Sequence, residues 1–179
     1  MKEKQIVLLE DLGNMPYQAA WDYQTSIHKR LVDNKLAHRG VDVGTYSQQH
    51  QILLVEHPPV YTLGRSGSMD NLLLNEQELL DRGITFFPIN RGGDITYHGP
   101  GQNVGYPILD LECFFTDVHK YVRCLEEVII RTMAEYGLEG TRIEGYTGVW
   151  IEHNPNFPSD DPDVSKKRKI CAIDRKSVV

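Results

Sequence analysis

Short apolar runs recur along the chain at the length and spacing that are typical of β-strands. Many of them are bounded by Gly, Pro or Asn, and Pro58 and Pro59 separate two of them because proline cannot donate a ladder hydrogen bond. The runs predict strands over residues 4–10, Ile52–Glu56, Val60–Arg65, Ile84–Ile89, Val104–Leu111, Thr147–Glu152 and Arg168–Ile173.

A second pattern, with apolar residues three and four positions apart, predicts helices. One opens at Pro16 and places Tyr17, Ala20, Trp21, Ile27 and Leu31 on a buried face. A short helix is predicted over Glu76–Leu80, and a long one over Asp117–Tyr136 that ends at Gly137. The long helix is expected to bury Val118, Tyr121, Val122, Leu125, Val128, Ile129, Met133 and Tyr136.

The order of these elements decides the fold class. Strands outnumber helices, and several neighbouring strands are joined by loops too short for a helical crossover. An α+β fold with a mixed, largely antiparallel β-sheet flanked by helices therefore fits better than a doubly wound α/β sheet. The chain has 179 residues, of which 40% are hydrophobic, and this predicts a single domain.

Composition excludes several classes of protein. No run of about 18 apolar residues is present, and the sequence MKEKQIVLLEDLG has neither a long apolar segment nor a small-residue cleavage site. We therefore expect a cytoplasmic protein without a membrane partner. The three cysteines form no CxxC pair, which favours reduced thiols and argues against structural zinc.

The charge is unevenly distributed. The net charge is −6, yet Ser165–Val179 carries six Lys or Arg and one Asp. The cluster KKRK admits a nucleic-acid interpretation, but a short basic run is more often a solvated face. Because nothing else in the chain supports nucleic-acid binding, no nucleic-acid partner is expected.

The segment NRGGDITYHGPGQNVGY, residues 90–106, holds five of the fifteen glycines. It can be interpreted as a pair of hairpin turns or as a loop that lets backbone approach a ligand. The interleaved side chains of Arg91, Thr96, His98 and Gln102 favour a ligand-lining loop. It contains neither GxxxxGK[ST] nor GxGxxG, and His98 has no histidine four residues on to form a metal pair.

Three stretches together resemble one family. The run R-G-G-x-x-T-Y-H-G-P-G-Q, at Arg91–Gln102, resembles the signature of the bacterial octanoyltransferases, or lipoyl(octanoyl) transferases, of lipoate biosynthesis. LLVEHPPVYTLGR at residues 53–65, and GVWI at 148–151 followed by RKICAI at 168–173, agree in order and spacing. The resemblance covers nearly the whole chain, and the related lipoate and biotin ligases lack the His-Gly-Pro-Gly-Gln run.

The resemblance implies a biotin/lipoate protein ligase-like fold and an acyltransferase activity. Family members move an octanoyl group from acyl carrier protein to a lysine on two kinds of acceptor. These are the lipoyl domains of 2-oxo acid dehydrogenase complexes and the glycine-cleavage carrier protein. A cysteine thiolate forms an acyl-enzyme that the acceptor amine then attacks. The reaction needs no metal or nucleotide cofactor.

The resemblance also assigns residues. Lys169 matches the catalytic lysine that lowers the pKa of the nucleophilic cysteine, although composition alone would make it one more surface charge. Gly92 and Gly93 are expected to make room for the acyl chain, with backbone N–H groups for the oxyanion. The implied substrate-binding residues are Arg91, Gly92, Gly93, Asp94, Ile95, Thr96, Tyr97, His98, Ala172 and Ile173.

The chain departs from the family pattern in its cysteines. The family nucleophile lies tens of residues beyond the lysine, and no cysteine follows Cys171 here. Cys113 is predicted at a strand end and Cys124 within the long helix. Cys171 occupies a packing position, although it shares a strand face with Lys169 and a replacement role is physically possible. We expect this 179-residue chain to be inactive in transfer.

The last residues depart from the pattern as well. Asp174 stands where the family has glycine, and DRKSVV shows no family resemblance. Back-translated with a stop codon, DRKSVV matches a widely used sequencing-adapter oligonucleotide. We therefore expect residues 1–173 to be an octanoyltransferase catalytic domain that is incomplete at its C-terminus, and residues 174–179 to be a non-native tail.

Two other functions remain open at the level of sequence. One is an ATP-dependent lipoate or biotin protein ligase, which would form an adenylate. The other is a binding module that holds acyl carrier protein or a lipoyl domain without chemistry.

Overall fold

A computed structural model of the chain describes residues 5–42, 45–152 and 167–174. The described residues cluster into two compact units, one ending at Thr116 and the other beginning at Asp117. The segment from Asn154 to Val164, whose three prolines predict an exposed loop, lies outside the described residues, as does most of the predicted non-native tail. The expected single catalytic domain over residues 1–173 stays a prediction.

The first unit contains two three-stranded sheets. One has the strand order β1-β2-β6 and the other β4-β3-β5, and in each the central strand has one parallel and one antiparallel neighbour. The elements are β1 (Val7–Asn14), α1 (Tyr17–Ala37), β2 (His50–Glu56), β3 (Val60–Leu63), α2 (Glu76–Asp81), β4 (Thr85–Pro88), β5 (Ile95–His98) and β6 (Asn103–Ile108).

Helix α1 packs one face on the sheet that contains β2. Its residues Ile27 and Leu31 form a buried core with Leu53 of β2 and Ile108 of β6. The predicted stripe is confirmed except at Trp21, whose side chain is 38% exposed and lies beside the Tyr17 ring at 6.2 Å between centroids.

The second unit is a helix with a small antiparallel sheet in the order β7-β8-β9. The helix α3 (Val118–Glu135) begins after Asp117, whose side chain accepts a hydrogen bond from the Lys120 N–H at 3.0 Å. It ends before Gly137, which adopts the left-handed conformation at φ 71°. The strands are β7 (Gly140–Thr141), β8 (Val149–Ile151) and β9 (Arg168–Cys171).

The predicted buried face of α3 is partly wrong. Val118, Val128 and Tyr136 are exposed, while the buried positions are Tyr121, Val122 and the carboxylate-bearing Glu126. A helical period shows which residues share a face but not whether a charged residue finds partners there. Burial raises the pKa of the Tyr121 hydroxyl to about 12.

The mixed, largely antiparallel strand pairing is confirmed, since four of the six pairings among the described residues are antiparallel. Strand β5 was missed because glycines flank its four residues, and the short β7 was missed too. The run predicted over Val104–Leu111 ends as a strand at Ile108, and Leu111–Cys113 forms a 3₁₀ turn rather than a strand end. No helix in the described part of the chain is long and apolar enough to cross a membrane.

Candidate active site

The glycine segment is fastened to the turn that follows β3. The N–H of Arg65 donates to the Arg91 carbonyl at 2.8 Å, and the N–H of Gly64 donates to the Asp94 carbonyl at 3.2 Å. The Ser66 hydroxyl donates to the Gly93 carbonyl at 3.2 Å. Loop 91–94 is therefore held by main-chain bonds against residues 64–66.

Glycine is required on both sides of this contact. A Cβ added at Gly64 would overlap the Gly93 carbonyl oxygen and would come within 2.9 Å of the Gly92 carbonyl oxygen. Gly93 itself has φ 82°, a conformation that strains residues with a side chain. The turn residue Gly64 was not among the predicted site residues, although it lies in the LLVEHPPVYTLGR stretch.

The Arg91 guanidinium turns back into its own loop. Its Nη2 donates to the carbonyl and the hydroxyl of Thr62, both at 3.1 Å, and to the Asp94 carbonyl at 3.0 Å. Its Nη1 donates to the Gly92 carbonyl at 2.8 Å. Within the described residues its buried Nε has no hydrogen-bond partner. Arg91 thus fixes the shape of the loop, and its Nε–H donor has no acceptor among the described residues.

Asp94 serves the neighbouring turn rather than Arg91. Its carboxylate accepts hydrogen bonds from the Ser68 N–H at 3.3 Å and from the Asn71 side-chain amide. These bonds hold the 3₁₀ turn Met69–Asn71 beside the loop. The predicted site residue Asp94 is therefore placed as an anchor of this turn.

Residues Ile95–His98 form strand β5, antiparallel to β3. The Thr96 carbonyl accepts a hydrogen bond from the fully buried Thr62 hydroxyl at 3.4 Å. The Tyr97 ring is 43% exposed and lies 5.2 Å from the Tyr61 ring between centroids. This strand extends from the loop to His98.

His98 is a neutral imidazole fixed by Gln102. Its Nδ1 lies 2.6 Å from Gln102 Oε1, so Nδ1 carries the proton and donates. Burial lowers the pKa of His98; the Gln102 hydrogen bond opposes this, while the nearby His57 and Arg91 add to it. The ring stacks near Tyr17 with centroids 6.5 Å apart. The hydrogen bond between His98 and Gln102 explains the two polar residues of the HGPGQ run.

Sequence reasoning missed the buried groups beside His98. The His57 side chain has zero exposure, and its Nδ1 lies 2.8 Å from the Met15 carbonyl. The Tyr106 hydroxyl lies 2.9 Å from His57 Nε2. Burial raises the pKa of Tyr106, so this hydroxyl stays protonated and donates. His57 is visible in the EHPP stretch of the sequence, whereas the helical pattern indicates only a core role for Tyr17.

A cleft of about 200 Å³ adjoins the start of the glycine segment. It is lined by aromatic and other apolar groups from α1 and β4, and it ends at Asn90, the residue before Arg91. Its lining comprises Tyr17, Gln18, Trp21, Phe87, Pro88, Ile89 and Asn90. A larger cleft, of about 330 Å³, lies between α1 and residues 47–51. None of the predicted site residues lines either cleft, but the smaller one ends directly before Arg91.

In the second unit, Lys169 lies on β9, directly opposite Trp150 of β8. Its Nζ is 4.7 Å from the centroid of the Trp150 ring, which is a cation–π contact. The Thr147 hydroxyl donates to the Ile173 carbonyl at 3.4 Å, while Ala172 is exposed. The structure thus gathers the predicted residues of this unit around one strand end.

Cys171 does not have the environment of a reactive thiolate. Burial raises the pKa of the Cys171 thiol, Lys169 opposes the rise, and Glu126 adds to it, with a net upward shift. Its sulfur contacts the Ala172 carbonyl at 3.7 Å. The strand face that Cys171 was expected to share with Lys169 is not found, because the two residues pair with the consecutive residues Val149 and Trp150 across a register irregularity.

Sequence reasoning also missed Glu126, which lies on α3 with zero exposure. Its Oε2 accepts hydrogen bonds from Arg123 Nη1 at 2.6 Å and from Arg142 Nε at 3.0 Å. Its Oε1 accepts from the Gly148 N–H at 3.0 Å. Burial alone would raise the pKa of Glu126, but the Gly148, Arg123 and Arg142 bonds outweigh it and hold the pKa below its usual value.

Comparison with known proteins shows the family to which this chain belongs. A family profile described as the lipoyl protein ligase A/B catalytic domain matches residues 16–176. The octanoyltransferase of Flavobacterium johnsoniae is 53% identical over 167 residues, which cover 93% of this chain and 68% of that protein. The octanoyltransferase of Cytophaga hutchinsonii is 51% identical over 168 residues, covering 93% of this chain and 66% of that protein.

The fold has a solved counterpart. A chain in the structure of the archaeal bi-partite lipoate protein ligase from Thermoplasma acidophilum matches with a TM-score of 0.54 at 16% identity. The match covers 92% of this chain and 54% of the archaeal chain, and it confirms the lipoate ligase-like fold. With these relatives, the chain belongs to the octanoyltransferase family, within the wider family of lipoyl protein ligase A/B catalytic domains.

Proposed function

We propose that this protein binds octanoyl-acyl carrier protein and serves octanoyl transfer to a lysine of lipoyl domains. The acceptors would belong to 2-oxo acid dehydrogenases and to the glycine-cleavage carrier protein. The observation that carries the proposal is loop 91–94, locked against Gly64 at the edge of an aromatic cleft. The relatives that are 53% and 51% identical to this chain are octanoyltransferases.

The first unit supplies the acyl subsite in this proposal. The apolar cleft beside Asn90 suits a hydrocarbon chain, and the glycines of the loop let a thioester approach the main chain closely. The Nε of Arg91, which has no hydrogen-bond partner among the described residues, and the neutral His98 add polar groups along the segment that follows Asn90. Residues Arg91–His98 would therefore bind the acyl group and orient its carbonyl.

The second unit supplies the lysine. An ammonium beside a thiol stabilises the thiolate, which attacks the thioester carbon and releases the carrier thiol. The acceptor amine then displaces the enzyme sulfur and forms an amide. Trp150 holds the Lys169 ammonium at 4.7 Å in this proposal, and the main chain at Ala172 and Ile173 lies on the same strand end.

None of the three cysteines of this chain fits the nucleophile's role. Cys113 is buried, Cys124 is an exposed residue of α3, and the pKa of Cys171 is raised rather than lowered. We therefore propose that the 179-residue polypeptide binds its substrate without transferring the octanoyl group. Its place of action is expected to be the cytoplasm.

Trp21 lines the cleft and gives the experiment a local probe. In a Trp150→Phe variant, Trp21 is the remaining tryptophan, because the chain has two. Octanoyl-acyl carrier protein should change its fluorescence with saturation, and unacylated carrier protein should bind at least about tenfold more weakly because it lacks the buried chain. Equal affinity for both carriers would contradict the acyl subsite.

Mass spectrometry of an apo lipoyl domain tests the chemistry. Incubation with octanoyl-acyl carrier protein and the 179-residue protein should leave the acceptor mass unchanged. An octanoylated acceptor would show that one of the present cysteines does react. Adenylate formation from ATP and octanoate or lipoate would instead favour the ligase function.

A further inference from the structure

We infer that Glu126 is a positioning residue for Lys169, acting through the main chain of Gly148. The inference rests on the proposed function in one respect, which is the catalytic role given to Lys169. Glu126 lies on α3 and does not touch Lys169 directly in any hydrogen bond; the strand end beside Gly148 joins the two.

The first step is the bond between the carboxylate and Gly148. Glu126 has zero exposure, and its Oε1 accepts the Gly148 N–H at 3.0 Å. Its Oε2 is held at the same time by Arg123 at 2.6 Å and Arg142 at 3.0 Å. Two guanidinium donors fix the orientation of the carboxylate, and the carboxylate in turn fixes the Gly148 amide.

The second step is the fit of Gly148 against β9. Gly148 has φ 120°, which glycine adopts most easily, and a Cβ there would overlap the Cys171 carbonyl oxygen. The same Cβ would lie 3.2 Å from Lys169 Cε. The backbone of Gly148 therefore packs directly on the strand and on the stem of the lysine.

The third step is the strand register beyond Gly148. Val149 pairs with Cys171 and Trp150 with Lys169, across an irregularity between Val149 and Trp150. A shift of Gly148 would move the Trp150 ring on which the Lys169 ammonium rests at 4.7 Å. The Thr147 hydroxyl bonds the Ile173 carbonyl, so this turn also holds the end of β9.

The neighbouring Glu127 provides a matched control. Its carboxylate accepts from Arg142 Nη2 at 2.8 Å and from Arg131 at 3.0 Å, so it shares Arg142 with Glu126. It is 42% exposed, and its hydrogen bonds go to the two arginines rather than to Gly148. Glu127→Gln removes the same charge from the same helix without touching the Gly148 amide.

The experiment measures limited acetylation of Lys169 by acetic anhydride, with exposed Lys29 of the first unit as internal reference. In Glu126→Gln, the Lys169 to Lys29 ratio should change by about threefold or more, within the coupling expected for one hydrogen-bond network. In Glu127→Gln it should stay at the wild-type value. An unchanged ratio in folded Glu126→Gln, or an equal change in both variants, would overturn the inference.

If Glu126→Gln does not fold, wild-type protein decides the question. Acid titration followed by NMR should move the Gly148 amide and the Lys169 side-chain resonances with one midpoint, whereas unrelated midpoints would overturn the inference. Neither measurement depends on octanoyl transfer. A failure of carrier-protein binding in the fluorescence experiment would count against the proposed function alone, and an unchanged acetylation ratio against the positioning role alone.

Discussion

The candidate residues of the two units are held in place by different kinds of interaction. In the first unit, Arg91 binds carbonyl and hydroxyl oxygens, and the loop meets Gly64 through main-chain bonds. In the second unit, the buried Glu126 carboxylate accepts hydrogen bonds from two arginines and from the Gly148 amide. The first unit depends on close approach of backbone segments, and the second depends on a buried charge that must stay paired.

Because of this difference, the two units should lose stability in response to different kinds of substitution. A loop held by backbone contacts is sensitive to added volume and insensitive to salt. A buried carboxylate is sensitive to the loss of its charge or partners, because the unpaired remainder is costly in a low-dielectric site. Substitutions that add a side chain or remove a charge can therefore test each half separately.

The largest effect is expected from Gly64→Val in the first unit. The side chain would overlap the Gly93 carbonyl oxygen, and backbone cannot yield as a side chain can. The free energy of unfolding should fall by about 4 kcal/mol, at the upper end for single substitutions. Urea denaturation measures it. Gly105→Ala is the control, because its nearest neighbour would be Leu54 Cδ2 at 3.8 Å, and a loss as large there would refute the steric explanation.

Glu126→Ala should have the next largest effect, in the second unit. It leaves the Gly148 amide without its acceptor and the Arg123 and Arg142 guanidinium groups without their buried anion. Because both arginines are partly exposed, the loss in unfolding free energy should be about 3 kcal/mol. Glu127→Ala, at an exposed pair, should cost far less in the same urea experiment. Equal losses of unfolding free energy in the two variants would show that the Glu126–Gly148 hydrogen bond does not contribute to stability.

The same contrast explains what the sequence could reveal. Arg91, His98 and Gln102 lie in one continuous run, so their polar and glycine pattern was visible and indicated a loop that lines a site. The Glu126 cluster joins residues from α3, from the segment before β8 and from Arg142, and no local pattern links them. Helical periodicity even assigned that face to apolar residues alone.

The fold was predicted more fully than the chemistry of its residues. Periodicity located α1 and α3 and most strands, because these depend on local apolar spacing. It did not show that Asp94 anchors a turn or that His57 is buried between Met15 and Tyr106. Such roles depend on which distant polar group arrives opposite, and that is decided by tertiary packing.

Acid titration should distinguish the two halves at a smaller scale. The pKa values of His50 and His98 are lowered by burial, so below about pH 6.5 the unfolded chain binds protons that the folded chain does not. Stability should therefore fall with acidification from pH 6.5 downward, by about 1.4 kcal/mol for each unit of pKa depression. Glu126, with its pKa lowered, should add a further loss only below about pH 4.5.

Urea midpoints measured between pH 8 and about pH 3 check this order of events. A His50→Gln, His98→Gln double variant should flatten the slope between about pH 6.5 and pH 5 while leaving the more acidic loss in place. A slope that persists in the double variant would show that other groups cause it. Glu126→Gln, if folded, should flatten the acidic part alone.

The smallest effect is expected from Asp94→Asn, and it tests whether this side chain has any role beyond its turn. The amide oxygen can still accept the Ser68 N–H, and the Asn71 amide can rotate to match, so unfolding free energy should fall by less than about 1 kcal/mol. Binding of octanoyl-acyl carrier protein, followed by Trp21 fluorescence in the Trp150→Phe background, should change little. A large loss of binding with unchanged stability would instead assign the Asp94 carboxylate to the substrate, and the first unit would then depend on a charge as the second does.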